Sequence, residues 1–341
     1  VSTAYWKSQD EDPGITSEVA LLTVLVLGAL CGVRPELATA IGVVMVGLLA
    51  YRDKLHNFAR SQLTEAEMRD GLLLLIVALV VLPLAPDRFI GPYGGVNLRT
   101  ICTLTVLLMA VGAVGHVAVR MLGPRYGYVI GAVASGFASS TVTIAAMGNL
   151  VAKEPEHLRT LAAAAILSNI ATVAQAVLIL GTVEPALLSQ MMWPLLAGFA
   201  TTALYGGCLM LRVPPAPAGQ AIRVGGAFDL KLALIMVLTL TGITFLSSVM
   251  LYYFGQVGVM VTATLSGFAD AHATTASIAA LVTSGQLALH AAPIPVLLAI
   301  SCNSLSKCVV AWVSGGRRFA AYVIAGQVLL TAAMWLGALV S

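Results

Sequence analysis

Two ionisable residues interrupt an apolar stretch, SGFADAHATT at residues 266–275, and their chemistry is that of ion binding. Asp270 offers a carboxylate that can bind a cation or accept a proton, and His272 offers an imidazole that can bind a metal or relay a proton. A third group, Lys307, lies in the apolar stretch ISCNSLSKCVVAWV, four residues after Asn303. On a helix this spacing puts the amide and the ammonium on one face.

The composition identifies the environment of these groups. Hydrophobic residues make up 59% of the 341 positions and charged residues only 10%, with a mean hydropathy of +0.95, whereas soluble domains carry about 25% charged residues. We therefore predict an all-α, polytopic membrane protein with ten or eleven transmembrane helices. The predicted spans are 17–33, 36–51, 71–86, 99–122, 126–150, 157–182, 188–211, 229–254, 256–283, 290–314 and 317–340.

Charges inside such spans are costly, about 2.5–3.5 kcal/mol each at the bilayer centre, so they are paired or solvated and usually functional. Asp270 is the deepest acidic residue, and Lys307 is the one basic residue away from loops and span ends. We expect these two opposite charges to form an ion pair. The net charge of +3 is small and dispersed, which gives no indication of a nucleic-acid partner.

The chain contains an internal duplication. SGFASSTVTIAAM at 135–147 resembles SGFADAHATTASIAAL at 266–281 if Asp270–His272 is an insertion, and the same offset matches Asn169 with Asn303. We therefore divide the membrane region into repeat 1 (99–211), a linker (212–228) and repeat 2 (229–341). The copies share one orientation if the SGFA segment crosses the membrane, and they are inverted if it re-enters on the side from which it came. Such repeats, with discontinuous helices, are typical of secondary transporters.

Gly267 allows the second SGFA segment to unwind, which would bring Asp270 and His272 together although their spacing separates them on a regular helix. Several neutral groups could complete an ion site with side-chain oxygens or hydrogen bonds. These are Ser139, Ser140, Thr141, Thr143, Thr274, Thr275, Asn169 and Asn303. The open alternative for the hydroxyls is helix packing through small residues. Glu18 and His116 are secondary candidates, with a helix N-terminus and an isolated interior histidine as their structural interpretations.

No catalytic or nucleotide-binding motif is present: the sequence has no GxSxG, HExxH or P-loop. We expect a protein that is not an enzyme and that requires no cofactor. A bound divalent metal ion, held by Asp270 and His272, remains an open alternative.

Four stretches carry a resemblance to a known family: DPGITSEVALLTVLVLGALCG, LHNFARSQLTEAEMRDGLLLLIVALVVLPLAPDRFIGPYGGVNLR, SGFASSTVT and SGFADAHATTASIA. They resemble the long form of the MgtC/SapB family of bacterial inner-membrane proteins, in which an MgtC-like portion precedes an uncharacterised membrane domain, domain of unknown function 4010. The resemblance implies an MgtC-like segment at 1–98 with an interfacial helix at 53–70, a multi-pass location in the bacterial inner membrane and a link to magnesium. Family members of this form usually have further N-terminal spans.

The motifs of that family fall on residues already selected by their chemistry. Its SST cluster matches Ser139–Thr141, its acidic motif matches Asp270 and His272, and its Asn–Lys pattern matches Asn303 and Lys307. The first hypothesis is a secondary transporter or ion pathway for a small inorganic ion, most plausibly a divalent cation coupled to protons through Asp270 and Lys307. The alternatives are a small-anion transporter that uses Lys307 and helix N-termini, and a non-transporting regulator of ion homeostasis. The expected partners are the lipid bilayer and the ion, with a second copy of the chain as an open alternative.

Overall fold

The chain is helical almost throughout, as the composition predicted. The structure is a computed structural model that describes residues 16–52, 54, 56–57, 64–91, 93–122, 127–211 and 230–340. The chain divides into two compact units at Thr64. The first contains α1 (Thr16–Cys31) and α2 (Pro35–Ala50), which pack against each other. The linker 212–228 and most of the first half of the predicted interfacial helix 53–70 lie outside the described residues.

The second unit begins with α3 (Glu65–Ile76), which continues through a π-helical turn (Val77–Val81) into the short α4 (Leu82–Leu84). Strands β1 (Phe89–Ile90) and β2 (Val96–Asn97) form a small antiparallel ladder in which Phe89 pairs with Asn97. The remaining α-helices are α5 (Leu98–Leu122), α6 (Gly127–Val151), α7 (Leu158–Leu167), α8 (Asn169–Val183), α9 (Pro185–Met210), α10 (Leu230–Ala269), α11 (Ala271–Thr283) and α12 (Pro293–Gly337). Two 3-10 turns, Pro155–His157 and Leu289–Ala291, precede α7 and α12.

Six helices of the described residues are long and apolar enough to cross a membrane. Ten or eleven were predicted, and the difference arises partly because two predicted spans merge in each of two long helices. The first merged helix, α10, bends at Gly255 with φ +59°, and the second, α12, bends at Gly316 with φ +69°. Glycine adopts such positive φ angles at little cost. The two N-terminal predicted spans are helices of 16 residues each, about 24 Å long.

The first SGFA segment, α6, is a re-entrant hairpin and not a straight span. A regular helix of its 25 residues would separate its ends by about 37 Å. Instead, the hydroxyl of Tyr128, at its start, donates a 2.6 Å hydrogen bond to Glu154, just beyond its end. The hydroxyls of Ser135 and Thr143, eight positions apart, also lie within 2.6 Å. The chain therefore turns back inside the unit, and we call residues 127–151 the first hairpin.

The second SGFA segment makes an equivalent hairpin from residues 256–283, the second hairpin. Thr274 donates to Ser266, again eight positions away, at 2.8 Å. Both ends of this segment meet the loop before α5. The Tyr253 hydroxyl, at the start, lies 3.3 Å from that of Tyr93, and Gln286, beyond the end, donates to the Gly94 carbonyl at 2.7 Å.

The two hairpins enter from opposite faces of the unit. The ends of the first hairpin lie on the first face, where Gly148 packs against Ser314 beside the bend in α12. The ends of the second lie on the second face, where Thr283 donates to the Val183 carbonyl at 3.0 Å. Each repeat therefore has three crossing helices and one hairpin, and the two repeats are inverted. Of the two arrangements left open by the sequence, the structure has the inverted one.

The distribution of basic residues gives this arrangement an orientation. Lys153, Arg159, Arg317 and Arg318 lie at helix ends on the first face. The second face has Arg88 and Arg99 among its described side chains. Because cytoplasmic loops are enriched in Lys and Arg, we expect the first face to lie on the cytoplasmic side.

Cysteine labelling tests this topology. In a background without the five native cysteines, we expect Tyr253→Cys and Ala288→Cys, at the two ends of the second hairpin, to react with a membrane-impermeant maleimide in intact cells. Lys153→Cys and Arg317→Cys should react only in inverted vesicles, because they lie on the first face, which we expect to be cytoplasmic. Labelling of Tyr253→Cys and Ala288→Cys from opposite sides would mean that the segment crosses the membrane.

Candidate functional site

The tip of each hairpin is a single residue in extended conformation. Ser139 has φ −168° and ψ 110°, and Asp270 has φ −157° and ψ 112°. Helical residues precede and follow each tip directly. Ser139 and Asp270 are therefore equivalent positions, and each is the fifth residue from the start of its SGFA motif.

This equivalence shows that the predicted insertion of three residues is wrong. The same gap-free register matches Thr143 with Thr274. Each hydroxyl donates to the backbone carbonyl of its own tip residue, Thr143 to Ser139 at 2.8 Å and Thr274 to Asp270 at 2.7 Å. The same register also matches two glycines that lie close to a neighbouring helix. A Cβ added to Gly136 would lie 2.6 Å from the Ser168 carbonyl oxygen, and a Cβ added to Gly267 would lie 2.6 Å from the Ala299 carbonyl oxygen.

The corrected register changes which residues of the two repeats correspond. Asn169 is equivalent to Ile300 and not to Asn303, whose true counterpart is Thr172. The counterpart of Lys307 is Ala176. The prediction failed because the IAAM and IAAL segments are similar apolar helix sequences. They can be aligned with each other although their true positions in the two repeats differ by three residues, about one helical turn.

The broken helices leave backbone carbonyl groups without helical partners, and side chains of the same repeat bind them. Gln175 donates to the Phe137 carbonyl oxygen at 3.0 Å. Its counterpart Ser306 donates to the Phe268 carbonyl oxygen, also at 3.0 Å. Backbone polar groups within a bilayer need such partners. Each tip is thus fixed to the helix that follows its hairpin, α7–α8 in repeat 1 and the first part of α12 in repeat 2.

At the second tip, Asp270 and His272 come together as an unwound helix allows. The Asp270 carboxylate accepts from the His272 backbone N–H at 2.8 Å and lies 3.2 Å from the imidazole Nδ1. Their side chains keep 30% and 21% exposure. The other imidazole nitrogen, Nε2, is buried and has no hydrogen-bond partner among the described residues.

Lys307 does not form the predicted ion pair with Asp270. Its ammonium is 1% exposed and donates to Asn169 Oδ1 at 2.9 Å and to Thr172 Oγ1 at 3.0 Å, both in repeat 1. The Thr172 hydroxyl is in turn 2.8 Å from that of Ser140, next to the first tip. The Asp270 carboxylate is instead occupied with the N-terminus of α11, where it accepts from the His272 backbone N–H. The lysine side chain thus joins the two repeats.

Asn303 lies against the second tip. Its neighbours Ala299 and Ser306, on the same helix face, contact Gly267 and Phe268 on the hairpin. Its counterpart Thr172 reaches Ser140 beside the first tip in the same way. The Asn303 side chain is 7% exposed, and among the described residues no hydrogen bond to it is found. A buried amide is therefore available at the tip that carries Asp270.

Comparison with protein families identifies this region. The model of a family described as domain of unknown function DUF4010 matches residues 106–315, which is more than half of the chain and includes both hairpins and Lys307. The chain belongs to the DUF4010 family. No curated protein and no solved structure matches it.

The other candidate residues of this DUF4010 protein have mainly local roles. Ser139 accepts from the Val142 backbone N–H at 3.2 Å, which caps the second half of the first hairpin. Thr275 is buried at 1% exposure, and Thr141 is half-buried. His116 is not isolated, because its Nε2 lies 2.8 Å from Glu67 of α3. The side chain of Glu18 lies outside the described residues.

Sequence reasoning missed three residues of the DUF4010 site: Thr172, Gln175 and Ser306. The register error hid all three, because the correct alignment matches Thr172 with Asn303 and Gln175 with Ser306. A metal-binding cluster is not found either: no group of three or more His, Cys, Asp and Glu side chains that could hold a metal is present among the described residues.

Proposed function

We propose that this protein is a secondary transporter or ion pathway for a small inorganic cation, with the cation bound at the hairpin tips. The observation that carries the proposal is the position of Lys307, whose ammonium belongs to repeat 2 and binds Asn169 and Thr172 of repeat 1. Asp270 stays outside this contact and keeps a partly exposed carboxylate at the second tip. Binding sites at the interface of inverted repeats are typical of secondary transporters.

The contacts of Lys307 would link cation binding at Asp270 to the packing of repeat 2 against repeat 1. An ionised Asp270 carboxylate would attract the Lys307 ammonium, and a cation bound to Asp270 would cancel this attraction and repel the ammonium. Cation binding would then weaken the contact of Lys307 with Asn169 and Thr172, and so favour rearrangement of one repeat against the other. A proton on Asp270 would also remove the attraction, so proton and cation would compete. This competition is the basis for proton coupling.

The anion alternative is less well supported, although Lys307 lacks a carboxylate partner. The helix N-termini at the two tips would be the other anion-binding groups. Both are already occupied by side chains of the chain itself. Ser139 accepts from Val142 N–H at the first tip, and Asp270 accepts from His272 N–H at the second. An anion would have to displace a carboxylate to reach the second.

A divalent cation, magnesium in particular, and a location in the bacterial inner membrane are implied by the resemblance to MgtC/SapB proteins. That resemblance also supports the third alternative, a regulator that moves no ion. Movement of an ion by the purified protein alone would exclude the regulator as the full account of its function.

Ion flux in proteoliposomes tests the proposal. We expect Asp270→Asn to lower cation flux at least about tenfold, because loss of a charged ligand costs more than about 1.4 kcal/mol of binding free energy. Asp87→Asn is the matched control, since Asp87 is an exposed loop carboxylate that bonds Asn97 and Arg99. Full flux in Asp270→Asn would show that the mechanism is wrong. If Lys307→Met lost ion flux while Asp270→Asn still bound the ion, the result would favour the small-anion transporter.

A further inference from the structure

The two hairpin tips are equivalent in backbone but not in the charges that reach them. At the first tip, the Lys307 ammonium is held by a neutral amide oxygen and a neutral hydroxyl oxygen, at 2.9 and 3.0 Å. These are ligands that an alkali-metal ion would use. The Lys307 side chain is fully buried, so the first tip is already filled by an amino group that the protein supplies.

No lysine reaches the second tip in the corresponding way. The position equivalent to Lys307 in repeat 1 is Ala176, a buried residue with no charge. The second tip instead presents the Asp270 carboxylate and the Asn303 amide, which is 7% exposed and has no hydrogen-bond partner among the described residues. The first tip is thus filled by an amino group of the protein itself, while the second tip presents the oxygen ligands of Asp270 and Asn303.

We infer that the second tip binds one alkali-metal cation, through the Asp270 carboxylate and the Asn303 side-chain oxygen, while Lys307 takes the place of a second such cation at the first tip. The inference rests on the proposed function and specifies the class of its cation. It differs from the magnesium expected by resemblance.

The charge of the site is the reason for a monovalent cation. Affinity for divalent cations is set by the number of charged ligands, and magnesium is usually bound through one or two carboxylates with several waters retained. The second tip has a single carboxylate, and Lys307 lies one helical turn after Asn303 on the same face of α12. The repulsion between a bound ion and the ammonium doubles when the charge of the ion doubles. One alkali-metal ion neutralises Asp270, whereas a divalent ion leaves an excess positive charge beside a buried ammonium.

Ion-dependent thermal stability of the full chain in nanodiscs tests the inference. Sodium, potassium or magnesium chloride replaces N-methylglucamine chloride at constant ionic strength. We expect sodium or potassium to raise the unfolding midpoint by about 2 °C or more, since ligands that bind only the folded state stabilise it. Asn303→Ala and Asp270→Asn should lose the shift. Asn97→Ala, which removes a buried amide near the second face, should keep it.

Lys307→Met provides the second arm, because it empties the first tip while keeping a side chain of similar length. We expect equilibrium binding of radioactive sodium or potassium to rise from one to two ions per chain. An unchanged count of one would overturn the role of Lys307 as a substitute ion. A midpoint raised by magnesium alone would overturn the monovalent assignment and leave the proposed cation transport intact. Absence of both binding and flux for every cation would instead contradict the proposed function.

Discussion

Asn169→Leu is expected to lower the free energy of unfolding by about 3 kcal/mol, the largest effect of any single side-chain change at the tips. The amide oxygen of Asn169 accepts from the Lys307 ammonium at 2.9 Å, and the ammonium is 1% exposed. Leucine has the same branched heavy-atom skeleton but no acceptor, so one N–H of the buried Lys307 amino group loses its partner. Equilibrium unfolding in mixed detergent micelles measures the change.

A double-mutant cycle separates this hydrogen bond from effects of packing. In a Lys307→Met background no amino group remains beside Asn169, so Asn169→Leu should then cost less than about 1 kcal/mol. Leu161→Ala, in the buried part of α7, is a suitable third variant because its cost should be the same in both backgrounds. Equal costs of Asn169→Leu in the two backgrounds would show that the ammonium is not what Asn169 stabilises.

Gly267→Ala is expected to lower the free energy of unfolding by about 1–3 kcal/mol through overpacking. A Cβ at this position would lie 2.6 Å from the Ala299 carbonyl oxygen and 2.7 Å from its Cα. Both are backbone atoms that cannot rotate away, so the second hairpin must shift from the helix that carries Asn303 and Lys307. The same shift should reduce cation flux, because it moves the tip away from its ligands.

Gly242→Ala is the matched control for this substitution. Gly242 also lies in α10, but a Cβ there would meet no atom within 4 Å. Alanine should leave stability unchanged or raise it by up to about 1 kcal/mol through its higher helix propensity. If the two alanine variants had the same stability, the close approach of Gly267 to Ala299 would not be a determinant of the fold.

The helical membrane fold could be predicted because composition and the length of apolar stretches determine it directly. The duplication was also visible, since the SGFA motif marks the point at which each hairpin turns. The re-entrant path was not predictable. Twenty-five apolar residues are long enough to cross a bilayer, and the turn at Ser139 depends on a backbone change at one residue that the sequence around it does not require.

The partner of Lys307 was mispredicted for a related reason. Sequence reasoning paired it with Asp270 because both were charges in one repeat. Its actual partners, Asn169 and Thr172, lie in the other repeat and are neutral, so no pattern of charge reveals them. Asp270 is satisfied locally by the backbone and imidazole of His272, an arrangement that exists only because the helix breaks at Asp270.

The lengths of the half-helices have a consequence for biosynthesis. The second half of the second hairpin has 13 residues, about 20 Å of helix, whereas insertion as a span needs about 20 residues. Neither half of a hairpin is therefore long enough to be held in the bilayer alone, and each tip exposes polar groups until Gln175 or Ser306 binds them. Because Ser306 of α12 binds the Phe268 carbonyl, we expect the second hairpin, and Asp270 with it, to reach its final position only after α12 has been synthesised.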